Sequence, residues 1–421
     1  MTDAARAVQR VYLVLTLLTT LAASFIWGIN TLFLLDAGLS NAEAFAANAF
    51  FSVGQVLFEV PTGVIADTRG RRFSFMLGAV TLLSATLVYL VMWNVSAPFW
   101  GWAIASAGLG LGFTFFSGAT EAWLVDALTA TGYTKDLESV FGRAQMVAGG
   151  AMLAGTLLGG VIAQMTDLGV PYIVRAAMLG ITLIVAWRFM HDIGFKPDRD
   201  ASPVAAVRTV VRGAVNGGLR NAPVRWLMLA APFTTGVGFY AFYAFQPYLL
   251  QLYGDPNAYS IAGLAAAIVA GAQILGGLLV PRVRRLFPRR THFLIFGAVG
   301  SVLMLAGVGL TDSFVVALVL LTVWCVVAAV EEPMRRAFIN PLIPSDQRAT
   351  VLSFDSLMGS AGGVVIQPVL GRTADAFSYP ISYLASAGIQ ALAIPFVILA
   401  RLENATSDPI TAEQQDEPEL A

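Results

Sequence analysis

Ten ionisable side chains interrupt the long apolar stretches of this chain: Glu59, Glu121, Asp126, Arg143, Arg175, Glu331, Glu332, Arg335, Arg336 and Asp355. A charge held in lipid is costly, so each is a functional candidate by default. The chemistry open to them is reversible proton binding. A carboxylate in a low dielectric holds its proton more tightly, and a guanidinium beside it loosens that hold. Glu121 lies about 10 Å from the inner end of its segment, and Arg143 enters the next segment to a similar depth, so the two are expected to pair. A movement that parts them would raise the glutamate's proton affinity and tie protonation to conformation. Glu59 is the second choice, with no obvious basic partner and with Pro61 expected to break the helix beside it. Glu331, Glu332, Arg336 and Asp355 are expected to form the counterpart in the second half. The competing reading is structural pairing that only locks a gate. It weighs equally for Glu121, is preferred for Asp126, and makes Arg335 and Arg336, close to a loop, anchors.

The elements that must position these groups follow from composition. Of 421 residues, 57% are hydrophobic and 12% charged, against roughly a quarter charged in soluble domains. Lipid is the solvent that suits such a chain. Apolar segments fall at 11–36, 43–66, 73–94, 98–127, 139–165 and 171–190, and again at 226–253, 258–281, 291–311, 313–338, 347–371 and 380–401. The expectation is an all-α membrane protein of twelve transmembrane helices. Residues 1–190 would form one six-helix bundle, 191–224 a cytoplasmic linker, 225–402 a second bundle, and 403–421 a disordered cytoplasmic tail. The first apolar run is too long for a cleavable signal and reads as the first span. Cys325 is the single cysteine, which excludes an internal disulfide, and no His/Cys/carboxylate cluster has metal-site spacing.

Arginine placement gives the orientation. Arg69, Arg71 and Arg72 share one loop, Arg282 to Arg290 supply another, and Arg199, Arg208, Arg212 and Arg220 fall in the linker. All lie inside if both termini are cytoplasmic, leaving Arg175 and Arg372 near the outer face. Within the linker, Pro203–Arg220 spaces valines between arginines, which suits either an amphipathic helix on the inner leaflet or a solvated basic strand of chain. Sliding the chain on itself by 210 residues sets Glu121 on Glu331, Gln145 on Asp355 and Gly149 on Gly359, as an internal repeat would.

Between the second and third spans runs Gly63-Val-Ile-Ala-Asp67-Thr-Arg69-Gly70-Arg71-Arg72. Gly63 lets another helix approach closely, Asp67 suits the positive end of a facing helix, Gly70 turns the chain, and the arginines can grip carboxylates. Asp126 is the expected partner, giving a latch on the cytoplasmic side; arginines that merely fix topology are the alternative, more so for Arg72. The run resembles the loop signature of the major facilitator superfamily, G-x-x-x-D-R-x-G-R-R, with Thr68 in place of one arginine. The corresponding loop of the second half, Gly277-Leu-Leu-Val-Pro281-Arg-Val-Arg284-Arg285, lacks the aspartate. The resemblance implies two pseudo-symmetric six-helix bundles and alternating access driven by a proton gradient, without a cofactor.

The fifth span places Gly142, Ala151, Gly155, Thr156, Gly159 and Gly160 so that it resembles the antiporter motif of drug-exporting facilitators, with Ala151 for a glycine and Thr156 for the proline. Ordinary small-residue packing would look the same. Glu59-Val-Pro61-Thr-Gly63 and Ser117-Gly118-Ala-Thr-Glu121-Ala-Trp123-Leu-Val-Asp126 also look like a bacterial drug-efflux subgroup, although Pro98 to Thr120 lacks the arginine many exporters carry there. Trp27, Asn30 and Trp123, with Phe239, Tyr240, Tyr243 and Gln246 of the seventh span, are cavity candidates, since aromatics with a few polar groups suit large, partly apolar solutes. Aromatic stripes also serve as packing. The leading expectation is a monomeric, proton-coupled exporter of drug-like or amphipathic small molecules in the bacterial cytoplasmic membrane. An importer or facilitator of one metabolite is the alternative, and a membrane receptor or lipid-acting enzyme is the reading from other classes. No nucleotide-binding loop, nucleic-acid partner or enzyme chemistry is expected.

Overall fold

A computed structural model describes residues 2–116, 119–133, 137–197, 208, 214–344 and 347–410. Its helices are α1 (Asp3–Trp27), α2 (Asn30–Asp36), α3 (Asn41–Arg69), α4 (Arg71–Asn94), α5 (Phe99–Phe116), α6 (Ala119–Ala130), α7 (Glu138–Met165) and α8 (Val170–Phe189), then α9 (Ala222–Tyr253), α10 (Tyr259–Arg284), α11 (Arg290–Leu310), α12 (Phe314–Ile339), α13 (Arg348–Ala376), α14 (Tyr379–Ala391) and α15 (Ala393–Leu402). The only strand-like pairing among the described residues is one bridge, Arg289 to Pro409. Among the described residues eleven helical stretches are long and apolar enough to cross a membrane, α5 with α6 and α14 with α15 each counting as one stretch. The twelfth expected span, α13, has the length, but Arg348, Asp355, Arg372 and Asp375 make it less apolar.

The chain divides into two compact units. The first is Met1–Val207 with Asp255–Ala267, and the second is Arg208–Gly254 with Ile268–Ala421. Glycines set the tightest helix approaches. A Cβ on Gly54 or Gly110 would strike the facing backbone at Ala107 or Phe51, so α3 and α5 meet almost backbone to backbone. Gly362 of α13 sits equally close to Pro232 of α9. In lipid no hydrophobic gain drives helices together, and close van der Waals contact takes its place. Large side chains on the outer surfaces, such as Ile104 at 72% and Leu278 at 64% exposed, suit contact with acyl chains.

Local chemistry fixes the helix ends. Ser40 and Glu43 form a capping box at the start of α3. Gly70 adopts φ +110°, a conformation side-chain-bearing residues avoid, and turns α3 directly into α4. Three expectations are revised. Pro61 does not break α3, which continues to Arg69. The first span is interrupted at Gly28 and Ile29, and Asn30, which starts α2, spends its amide on Asn48 at 2.8 Å. The stretch after α15 packs instead of dangling. Asp408, 1% exposed, accepts from the Thr291 N–H and hydroxyl, both at 2.9 Å, and so caps α11, while the Ser407 hydroxyl donates to the Phe338 carbonyl at 2.6 Å. Most of the expected amphipathic segment Pro203–Arg220 lies outside the described residues, as do Ser117, Gly118 and 411–421; within it only Arg208, a π-helical turn, Ala214–Leu219, and Arg220 are seen.

Candidate functional site

The α3–α4 turn gathers charges from three places in the first unit. The Arg71 guanidinium pairs with Asp67 one turn earlier and lies 3.8 Å from the Asp126 carboxylate of α6. It also stands over the Phe195 ring at 5.9 Å from the centroid. Arg69 is exposed and covers Phe73, and Gly63 has open space around it. The carboxylate at the positive start of α4 is not Asp67 but Asp192, which follows α8. It accepts from the Arg72 N–H at 2.8 Å and packs against Gly70. The Arg72 side chain donates to the Trp187 carbonyl. The turn thus ties α3, α4, α6 and the end of α8 into one cluster. Asp192 escaped the sequence reading because nothing in His191-Asp-Ile-Gly194 marks it out from an ordinary loop.

No ion pair joins Glu121 to Arg143 among the described residues. The reason lies in the faces their helices bury. Trp123, Leu124 and Ala127 of α6 and Val140 and Ala144 of α7 enter one core with Tyr12, which leaves Glu121 and Arg143 exposed at its rim. Glu121 stays within electrostatic reach of the Tyr12 hydroxyl. Glu59 is half-buried in α3, and its carbonyl accepts from Thr62 at 3.1 Å.

In the second unit the counterpart forms around a different arginine. Arg335 holds both oxygens of Asp355, one at 2.6 Å, and reaches the Leu227 carbonyl at 3.3 Å, joining α12, α13 and α9. Arg336, the expected partner, instead pairs with Glu332 one turn away on the exposed face. Residues 334, 335 and 338 point into the bundle and 332, 333 and 336 point out, which assigns the roles. The Glu331 carboxyl packs against Gly297 of α11, where a larger residue would displace it.

The helix α7 glycines serve two neighbours. Gly155 meets Ser24, and Gly159 meets the Phe25 carbonyl, both of α1. Gly160 instead abuts Tyr259 and Gly263 at the start of α10, and the Gln164 side chain accepts from the Ser260 N–H at 3.3 Å. A Cβ on Gly142 would meet nothing within 4 Å. Thr156, in the proline position, folds its hydroxyl back to the Met152 carbonyl at 2.8 Å within the unbroken helix α7.

Several cavity candidates prove to be packing. Trp123 is 2% exposed with its indole N–H on the His191 carbonyl at 2.7 Å, Tyr240 is bound to Ser382 in the interior, and Gln246 is fully buried. Trp27, Asn30, Phe239 and Tyr243 keep partial exposure.

Multiple apolar spans, glycine-seamed bundles and charge clusters at helix ends define a multi-pass membrane protein. Residues 12–329 match the family described as Major Facilitator Superfamily, and the chain belongs to that family. Membership places it among transporters, not enzymes. An uncharacterized MFS-type transporter of Methanocaldococcus jannaschii is 22% identical over 195 residues, 46% of this chain and 48% of that protein. The tetracycline resistance protein, class E, of Escherichia coli is 29% identical over 144 residues, 34% of this chain and 33% of that protein. The matched stretches therefore span about half and a third of those curated relatives. Among solved structures, the nucleoside transporter NupG superposes with a TM-score of 0.74 at 13% identity, covering 94% of this chain and 99% of that one. A D-xylose–proton symporter superposes with a TM-score of 0.67 at 16% identity, over 94% and 97% of the two chains. At such identities the likeness is one of fold.

Proposed function

We propose that this chain is a secondary transporter that exports drug-like or amphipathic small molecules in exchange for protons. The observation that carries the proton part is Glu121, an exposed carboxylate in a membrane-spanning helix that forms no ion pair among the described residues. Asp67, Asp126, Asp355 and Glu332 each sit beside an arginine within 4 Å, so their charges already have partners. A carboxylate left open to water within a low-dielectric wall is the group free to change protonation as its surroundings change. Glu59 is the second proton-site candidate.

Export is supported by the α7 seam, where Gly155 and Gly159 on α1 and Gly160 on α10 allow contacts no side chain would permit. The partial similarity to a tetracycline resistance protein points the same way. With the arginine-rich loops taken as cytoplasmic, the Asp67–Arg71–Asp126 cluster serves as the cytoplasmic latch of a monomer in the bacterial cytoplasmic membrane.

The test uses purified full-length protein in liposomes under an imposed pH gradient, with ethidium and tetracycline as probes. The proposal expects accumulation of a probe driven by the gradient and abolished when it is collapsed. Transport indifferent to the gradient would exclude the proton coupling. A metabolite panel in which one compound moves and no drug does would replace export with the specific importer or facilitator.

A further inference from the structure

The most deeply buried cation of the first unit belongs to none of the clusters above. Arg175 of α8 is 5% exposed. It lies five residues from the start of its helix, at the end opposite the Arg71 cluster. Its Nε donates to the Thr86 hydroxyl of α4 at 3.1 Å, and the Thr86 hydroxyl in turn donates to the Leu82 carbonyl at 2.7 Å. The two terminal guanidinium nitrogens donate to no described residue, and no carboxylate pairs with them. The ionisable groups that act on this charge are the phenols of Tyr172 and Tyr89.

The surroundings are a knot of rings and amides. Phe33 stacks on Tyr172 at 4.0 Å, and Tyr89 lies 6.1 Å from Tyr172. The Tyr172 hydroxyl donates to Asn30 at 2.9 Å, Asn30 donates to Asn48 at 2.8 Å, and the buried Asn48 amide nitrogen has no partner of its own. The knot therefore holds a full positive charge and an unused N–H donor, and among the described residues no carboxylate forms an ion pair with Arg175; Asp36 stays at the rim on the Trp93 indole.

Packing does not require that charge. The second unit builds a similar knot from Tyr240, Tyr248 and Tyr383, and aligning Tyr172 with Tyr383 places Arg175 on Ser386. There the hydroxyls are satisfied internally: Tyr240 on Ser382, Tyr248 on the Val308 carbonyl at 3.0 Å, Tyr383 on the Ala241 carbonyl at 3.2 Å, and Ser386 on the Tyr383 carbonyl at 2.7 Å. A neutral knot fills the position, so the arginine of the first unit asks for another reason.

Arginine keeps its proton, and a buried charge without a counter-charge costs several kcal/mol. Water would answer the hydrogen bonds but not the charge. We propose that the Arg175 knot is an anion site, in which the guanidinium receives one small monovalent anion, a halide or a carboxylate. The bound anion neutralises Arg175 beside its contact with Thr86 and so steadies the packing of α8 on α4. The site is separate from Glu121 and holds whichever way solute moves.

Thermal unfolding of the purified full-length protein in detergent tests this, at constant ionic strength, with chloride or acetate replacing gluconate, which is too large for the knot. The melting temperature should rise and saturate with chloride, with acetate, or with both. Response to chloride alone assigns a free halide, and response to acetate alone assigns a carboxylate. Arg175→Gln should lose the rise. If that variant does not purify, Thr86→Val, which frees the guanidinium from its orienting hydroxyl, should shift half-saturation upward by about tenfold. Retention of radiolabelled chloride or acetate by the native protein gives an independent reading. A native melting temperature blind to both anions overturns the proposal, as does a dependence that survives unchanged in Arg175→Gln or Thr86→Val.

Discussion

Arg335 of α12 holds both carboxylate oxygens of Asp355 on α13, and the same guanidinium reaches back to the Leu227 carbonyl of α9. Three helices of the second unit are therefore pinned at one buried point, with the aspartate side chain 9% exposed. Removing one partner leaves the other charged and buried, which costs about 3–5 kcal/mol. Asp355→Ala and Arg335→Ala should each lower the melting temperature strongly. The apolar pair Arg335→Met with Asp355→Leu should recover much of the loss. Arg336→Ala, whose pair with Glu332 is exposed, should change stability by under about 1 kcal/mol.

In the first unit the Arg71 cluster separates function from stability. Asp126 is 37% exposed and 3.8 Å from Arg71, a geometry that contributes at most about 1 kcal/mol. Asp126→Asn should melt like the native protein while transport in liposomes falls. Asp192→Ala removes the carboxylate that caps α4 and should cost about 1 kcal/mol. Equal melting losses for both variants would contradict this division.

Helix α7 offers a contrast between two glycines of one motif. A side chain on Gly159 would run into the Phe25 carbonyl, so Gly159→Val should destabilise by about 1–3 kcal/mol or displace α1. A Cβ on Gly142 would meet nothing within 4 Å, and Gly142→Ala should be neutral or stabilise by up to about 1 kcal/mol. Melting curves of the two variants in detergent check the pair.

The segment after α15 should act as a clasp. Asp408→Ala strips the Thr291 N–H and hydroxyl of their acceptor and should cost about 1–3 kcal/mol, read as a lower melting temperature.

Much of this fold was legible because lipid enforces it. A span needs about twenty apolar residues, so composition alone located the helices, and arginine spacing located the loop at Asp67–Arg72. Side-chain partners were less legible. Arg335 and Arg336 are adjacent in sequence but about 100° apart around the helix, and only the face that α12 turns to α13 sends one inward and the other out. Glu121 and Arg143 match in depth, but depth along a helix says nothing about rotation around it, and the core at Trp123 and Ala144 turns both to its rim. Tyr240 and Gln246 read as cavity residues because buried packing and solute contact draw on the same side chains. Asp192 and Asp408 belong to loops, where the hydrophobic period carries no signal.

The most direct test concerns Glu121. Native protein and Glu121→Gln, matched for melting temperature, are placed in liposomes and assayed for ethidium movement with and without a pH gradient. Proton coupling at Glu121 predicts that the variant loses gradient-driven accumulation while still exchanging ethidium across the membrane when no gradient is imposed. A variant that accumulates ethidium against its gradient as well as the native protein does would contradict the assignment.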